Sequence, residues 1–232
     1  MEIIELSKPY IGVQRRDGLS YGGSQRWEED KNMRLWGCGI TAACDLLLYR
    51  MDRRVLSEGE YRAFRDKISG CFPLISHRGI DGVRLALGLG RCFHKQKLPL
   101  RCKWGTSEKA FWPRLCEMLR ADIPVILAVG PNFPPLIRRE KLPLYRKTAH
   151  GSYVEDQRIS GHYVTVTGTD GAWLRVSSWG RQYYINVAQY AAYARRHSYW
   201  LFSNLLYVTE TKTRRKTQHE QAGADGEGEQ YN

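Results

Sequence analysis

The stretch WGCGITAACDLLLYR, residues 36–50, puts Cys38 between two glycines at the point where an apolar helix begins. The first-turn N–H groups of a helix have no intrahelical partner. Together with the helix dipole they favour an anion, so a thiol placed there is expected to have a lowered pKa and to act as a nucleophile. A cysteine nucleophile also needs a base and donors for the oxyanion. His162 in SGHYVTVTG stands at the start of a strand, behind Gly161, and is the base candidate. The Cys38 backbone N–H and the amide of Asn32, six residues upstream, are the candidate oxyanion donors. VSSWG, residues 176–180, follows a Thr169-Asp170-Gly171 turn and so returns opposite His162 on a neighbouring strand. A polar side chain there can hold the imidazole while Trp179 shields it from water. Strand alternation sends Ser177 and Ser178 to opposite faces, so one of them alone can reach the ring.

These residues need a scaffold. The helix after Cys38 is expected to turn Ile40, Ala43, Leu47 and Leu48 inward. Ser57 and Glu60 form a capping-box pattern for a second helix that ends near Gly70. A short helix is expected near 80–88, a strand at LPLRCKW, and a third full helix after Thr106 or Ser107. IPVILAVG, residues 123–130, reads as a central strand. HYVTVTGTDGAWLRVSSW reads as a hairpin, QYYINV as a strand, AQYAAYARR as a helix capped by Asn186, and YWLFSNLLYV as a last strand. Helices gather in the first half and strands in the second. The expected class is therefore α+β, a helical lobe packed on an antiparallel sheet.

One domain is expected over residues 1–210. Within it, residues 131–160 carry four prolines and several basic residues, and are expected to form an insertion loop, mobile and near the site. Residues 211–232, basic then acidic and without apolar period, read as a disordered charged tail. The 232 residues are 42% hydrophobic and 26% charged, the composition of a soluble globular protein, and no apolar run is long enough for a membrane span. The N-terminal MEIIELSKPY has no signal-peptide core, which points to a cytoplasmic location. The six cysteines show no CxxC pair and no regular spacing, so neither a zinc site nor a disulfide scaffold is expected. Cys44, about 240° around the helix from Cys38, reads as core, and Cys71, Cys92, Cys102 and Cys116 read as structural. The net charge of +12 is spread over separated arginine pairs, the pattern of a solvated surface rather than of specific nucleic-acid binding.

Cysteine at a helix start, then Gly-His on a strand, then Ser-Trp-Gly at a strand end, in that order over about 30–210, resembles the papain-like cysteine peptidases. CGITAACDLL followed by GHYVTVTGTDG is more similar to the bacterial branch that includes double-glycine leader peptidases. The resemblance implies a cysteine hydrolase, a peptidase or amidase acting on a peptide or protein substrate without metal or organic cofactor. It makes Cys38 the nucleophile and His162 the base. It puts Asn32 where the family has an oxyanion glutamine, and Ser177 where it has the asparagine or aspartate that orients the histidine. Trp36, Gly37, Gly161 and Trp179 would border the substrate. Both Asn32 and Ser177 depart from the family's residue types, so the alternative is a catalytically silent binding protein on the same fold.

Overall fold

A computed structural model describes residues 2–72, 79–135 and 139–211. In chain order the strands are β1 (Ile4–Glu5), β2 (Gly12–Arg15), β3 (Gly18–Leu19), β4 (Val55–Ser57), β5 (Leu100–Trp104), β6 (Val125–Val129), β7 (Leu142–Lys147), β8 (Tyr153–Ile159), β9 (His162–Asp170), β10 (Trp173–Ser178), β11 (Arg181–Asn186) and β12 (Leu206–Glu210). The helices are α1 (Lys31–Trp36), α2 (Cys38–Arg50), α3 (Glu58–Ser69), α4 (Gly82–Lys95), α5 (Glu108–Arg120) and α6 (Val187–Arg196).

The architecture is α+β, helices packed on an antiparallel sheet, as the segregation of patterns predicts. The sheet runs β1-β9-β10-β11-β7-β8, and β6 also pairs with β9. β9 is the organising strand. Its first half pairs with β6, Val129 opposite His162, and its far end with β1, Ile4 opposite Thr169. Every residue of β6 is buried, as its unbroken apolar run requires.

α2 is the central helix. The expectation of a single inward face is too narrow, because every residue from Gly39 to Tyr49 is buried. β9 covers one side, and α3 and α4 cover others. A helix buried all round needs apolar residues all round, and ITAACDLLLY supplies them except at Thr41 and Asp45. The capping box of α3 is formed, with Ser57 Oγ accepting from the Glu60 N–H and the Glu60 carboxylate accepting from the Ser57 N–H. α4 is longer than its expected span because Gly88 lies against the Phe72 ring, where a Cβ would meet ring carbon at 2.3 Å; the glycine here serves packing rather than stopping the helix.

The described part of residues 131–160 is not a structureless loop. It contains β7 and β8, which pair with each other and extend the sheet beyond β11. Leu142 and Leu144 alternate inward on β7, and Tyr153 stacks on Trp173 with ring centroids 4.0 Å apart. The prolines hid this pairing: Pro143 sits within β7, and Arg146 and Lys147 are exposed at its end. The expected tail lies, apart from its first residue, outside the described residues. No helix among the described residues is long and apolar enough to cross a membrane.

Candidate active site

The two glycines around Cys38 have separate structural reasons. Gly37 ends α1 and starts α2, and a Cβ there would sit 2.4 Å from the Met33 carbonyl oxygen. A Cβ on Gly39 would sit 2.7 Å from Ile80 and 3.3 Å from the Tyr163 ring, so glycine lets the helix start press against β9. That contact brings Cys38 beside His162 and Tyr163. A narrow crevice of about 10 Å³, room for one water, is lined by Cys38, His162, Gln25, Ser178 and Trp179 among others.

His162 is buried, and its Nε2 lies 2.9 Å from Ser178 Oγ. Ser177 instead donates to the Tyr21 carbonyl at 2.8 Å, so the expectation that Ser177 holds the imidazole is corrected to Ser178. The reason is a register shift in the β9–β10 ladder between Arg175 and Val176, which inverts the facing of the strand end relative to a regular hairpin. Trp179 and Gly180 both have positive φ, +51° and +73°, in the two-residue turn joining β10 to β11. This turn folds the Trp179 ring over His162, centroids 4.7 Å apart and 29° from parallel. The Arg26 guanidinium lies over Trp179 at 3.8 Å.

Asn32 is half-buried on α1 and does not line the crevice. The amide that does is Gln25, in a 3-10 turn over Gln25–Trp27 capped by Ser24. Its segment is held at several points. The Gly23 N–H donates to the Asp45 carboxylate on α2 at 3.0 and 3.1 Å, and the Gly23 carbonyl accepts from the Gly180 N–H at 2.9 Å. A Cβ on Gly22 would strike Ser177 Oγ and Asp45 Oδ2, and one on Gly23 would strike the Tyr61 hydroxyl. Gln25 was missed because α1 intervenes between it and Cys38, lengthening the separation from six residues to thirteen. The signal was the Gly-Gly-Ser-Gln sequence itself, a polar residue following a close-packed glycine pair. Trp36, Gly37 and Gly161 also lie outside the crevice lining; Gly161 has φ +61° and turns the chain into β9.

The expected low pKa of Cys38 is also corrected. Burial pushes the thiol up, and the backbone N–H groups of Tyr163, Gly39 and Cys38 offset this only in part. Burial, helped by the Arg26 charge, pulls His162 down to about 3. Both groups are therefore neutral at pH 7, because desolvation outweighs the helix terminus here. Replacing Ser178 with Ala removes a hydrogen bond to a buried ring, and is expected to lower kcat about tenfold with little change in KM. Ser177→Ala, which touches the 21–25 segment, is expected to reduce stability more than it alters the pH profile; steady-state kinetics and thermal melts of the two variants separate these effects.

No profile of a known protein family matches the chain, and no curated protein matches it. Among solved structures it is similar to the crystal structure of a "putative C39-like peptidase" from Bacillus anthracis, with a TM-score of 0.49 and 13% identity over 91% of this chain and 100% of that one.

Proposed function

We propose that this protein is a papain-like cysteine hydrolase, a peptidase or amidase that cleaves a peptide-like bond. The observation that carries the reading is the convergence in one crevice of a thiol at a helix start, an imidazole held by a hydroxyl under a tryptophan, and a side-chain amide. The three come from distant parts of the chain. Nε2 of His162 is engaged by Ser178, which leaves Nδ1 for the thiol. Cys38 Sγ attacks the carbonyl carbon as Nδ1 takes the thiol proton. The oxyanion is met by the Cys38 N–H and the Gln25 amide, and His162 returns the proton to the leaving nitrogen. Water then repeats the sequence on the acyl-enzyme.

Because the resting pair is neutral, the imidazole works as a general base rather than as half of a preformed ion pair. The test is alkylation of native protein by sub-stoichiometric iodoacetamide across pH 5–10, with the adduct mapped by mass spectrometry. Cys38 is expected to take the first label, with a rate still climbing above about pH 8.5, the ordinary thiol range. In parallel, kcat/KM on quenched-fluorescence peptides is expected to be flat from about pH 5 to 8. First labelling at Cys71 or Cys92, or a rate that levels off near pH 6, overturns the mechanism. The neutral pair and the one-water crevice also favour a second reading, a silent binding protein on the same fold. Turnover of any peptide that is lost in Cys38→Ala decides between the two.

A further inference from the structure

Beside the crevice lies a much larger cavity of about 440 Å³. Trp179, the ring stacked on His162, belongs to the lining of both. The cavity's lining includes Trp27, Trp179 and Tyr183 and three guanidinium groups, from Arg15, Arg26 and Arg181. Asp17 is the carboxylate in its lining. Arg15 is already committed, to Glu58 at 2.8 Å and to Asp17 at 3.6 Å. Arg26 and Arg181 have no acidic partner among the described residues. Arg26 instead places its guanidinium carbon 3.8 Å from the Trp179 ring centroid and lines the cavity there.

Resting on the hydrolase reading above, we propose that this cavity binds a carboxylate on the leaving-group side of the substrate, with Arg26 and Arg181 as its partners. The side follows from the proton path. His162 must protonate the leaving nitrogen, so the leaving group lies against the imidazole, and the cavity opens beyond the tryptophan stacked on that imidazole. The chemistry follows from the donors. A guanidinium presents paired N–H groups that fit a carboxylate in bidentate fashion. The occupant has a second effect. The Arg26 charge helps to keep His162 unprotonated, so an anion paired with Arg26 offsets that field and makes the imidazole a stronger base when substrate is in place. The carboxylate comes either from an acidic side chain one or two residues after the scissile bond or from the free C-terminus of a short substrate.

The test uses matched quenched-fluorescence peptides with Glu, Gln or Lys at the first and second positions after the scissile bond, and peptides ending in a free acid or an amide. The full-length protein is expected to prefer one acidic arm over its neutral match by about tenfold in kcat/KM. Preference in the Glu series identifies a side chain, and preference in the free-acid series identifies the C-terminus. Arg26→Gln and Arg181→Gln are expected to erase the preference. Arg91→Gln, which removes an exposed charge from α4, is expected to retain it, which excludes general attraction to a chain of net charge +12. Cleavage with equal kcat/KM across the Glu, Gln and Lys series and across both termini overturns the inference and leaves the hydrolase reading standing. If no peptide is cleaved, the hydrolase reading fails. Fluorescence anisotropy of the same peptides, labelled, on the Cys38→Ala protein then decides the cavity: tighter binding of the acidic members that Arg26→Gln removes supports it, and equal binding overturns it.

Discussion

Cys38→Ala and His162→Ala are each expected to lower kcat by about 10⁴-fold, and the double variant is expected to be no slower than either single one. The reason is that thiol and imidazole act as one unit. With both groups neutral at rest, the proton leaves sulfur only as the bond to carbon forms, so each residue is useless without the other. Additive losses in the double variant would mean that Cys38 attacks as a thiolate formed independently of His162. Gln25→Ala is expected to lie between these variants and wild type, at about 10²-fold, the usual effect of removing one oxyanion donor. Asn32→Ala is expected to behave as wild type. Single-turnover rates on a peptide ester, which is less demanding of the leaving-group proton, keep all five variants measurable.

The second large effect concerns stability and pH. Asp45 is buried in α2, and its carboxylate accepts from the Tyr61 hydroxyl at 2.8 Å, the Tyr10 hydroxyl at 3.2 Å and the Gly23 N–H. Burial pushes its pKa up to about 7 despite these donors. A carboxyl whose folded pKa is raised contributes stability that is complete below the unfolded value, about 4, and is lost as pH rises toward 7. His162 works the other way. Its folded pKa is depressed to about 3, so its contribution is complete above about 6.5 and is lost as pH falls. Between about pH 4 and 6.5 the two slopes oppose each other, each on the order of 1.4 kcal/mol per pH unit. Asp45→Asn removes one of them. Relative to wild type, the variant is therefore expected to gain roughly 3 kcal/mol between pH 4 and 6.5, read from urea midpoints at fixed pH. A difference between the two proteins that does not change with pH would mean that Asp45 ionises as freely in the folded chain as in the unfolded one.

What the sequence determined by itself was the local part of the structure and the placing of two groups. The apolar run of β6, the capping box at Ser57 and the Asn186 cap each depend on residues within a few positions of one another, and each was legible. So was the placing of Cys38 at a helix start and His162 at a strand start, because the elements begin at those residues. The remaining members of the candidate site were decided by tertiary structure. Ser178 rather than Ser177 faces the ring because a bulge shifts the register by one, and strand alternation converts that single step into the opposite face. Gln25 rather than Asn32 reaches the crevice because Asp45, Ser177 and Gly180 hold the 21–25 segment against it across long sequence separations. The protonation state was the least legible of all. The helix start of Cys38 can be read from the sequence and favours a thiolate, but packing of the half-buried thiol against β9 raises its pKa more than the first-turn N–H groups lower it, and that packing exists only once the chain has folded.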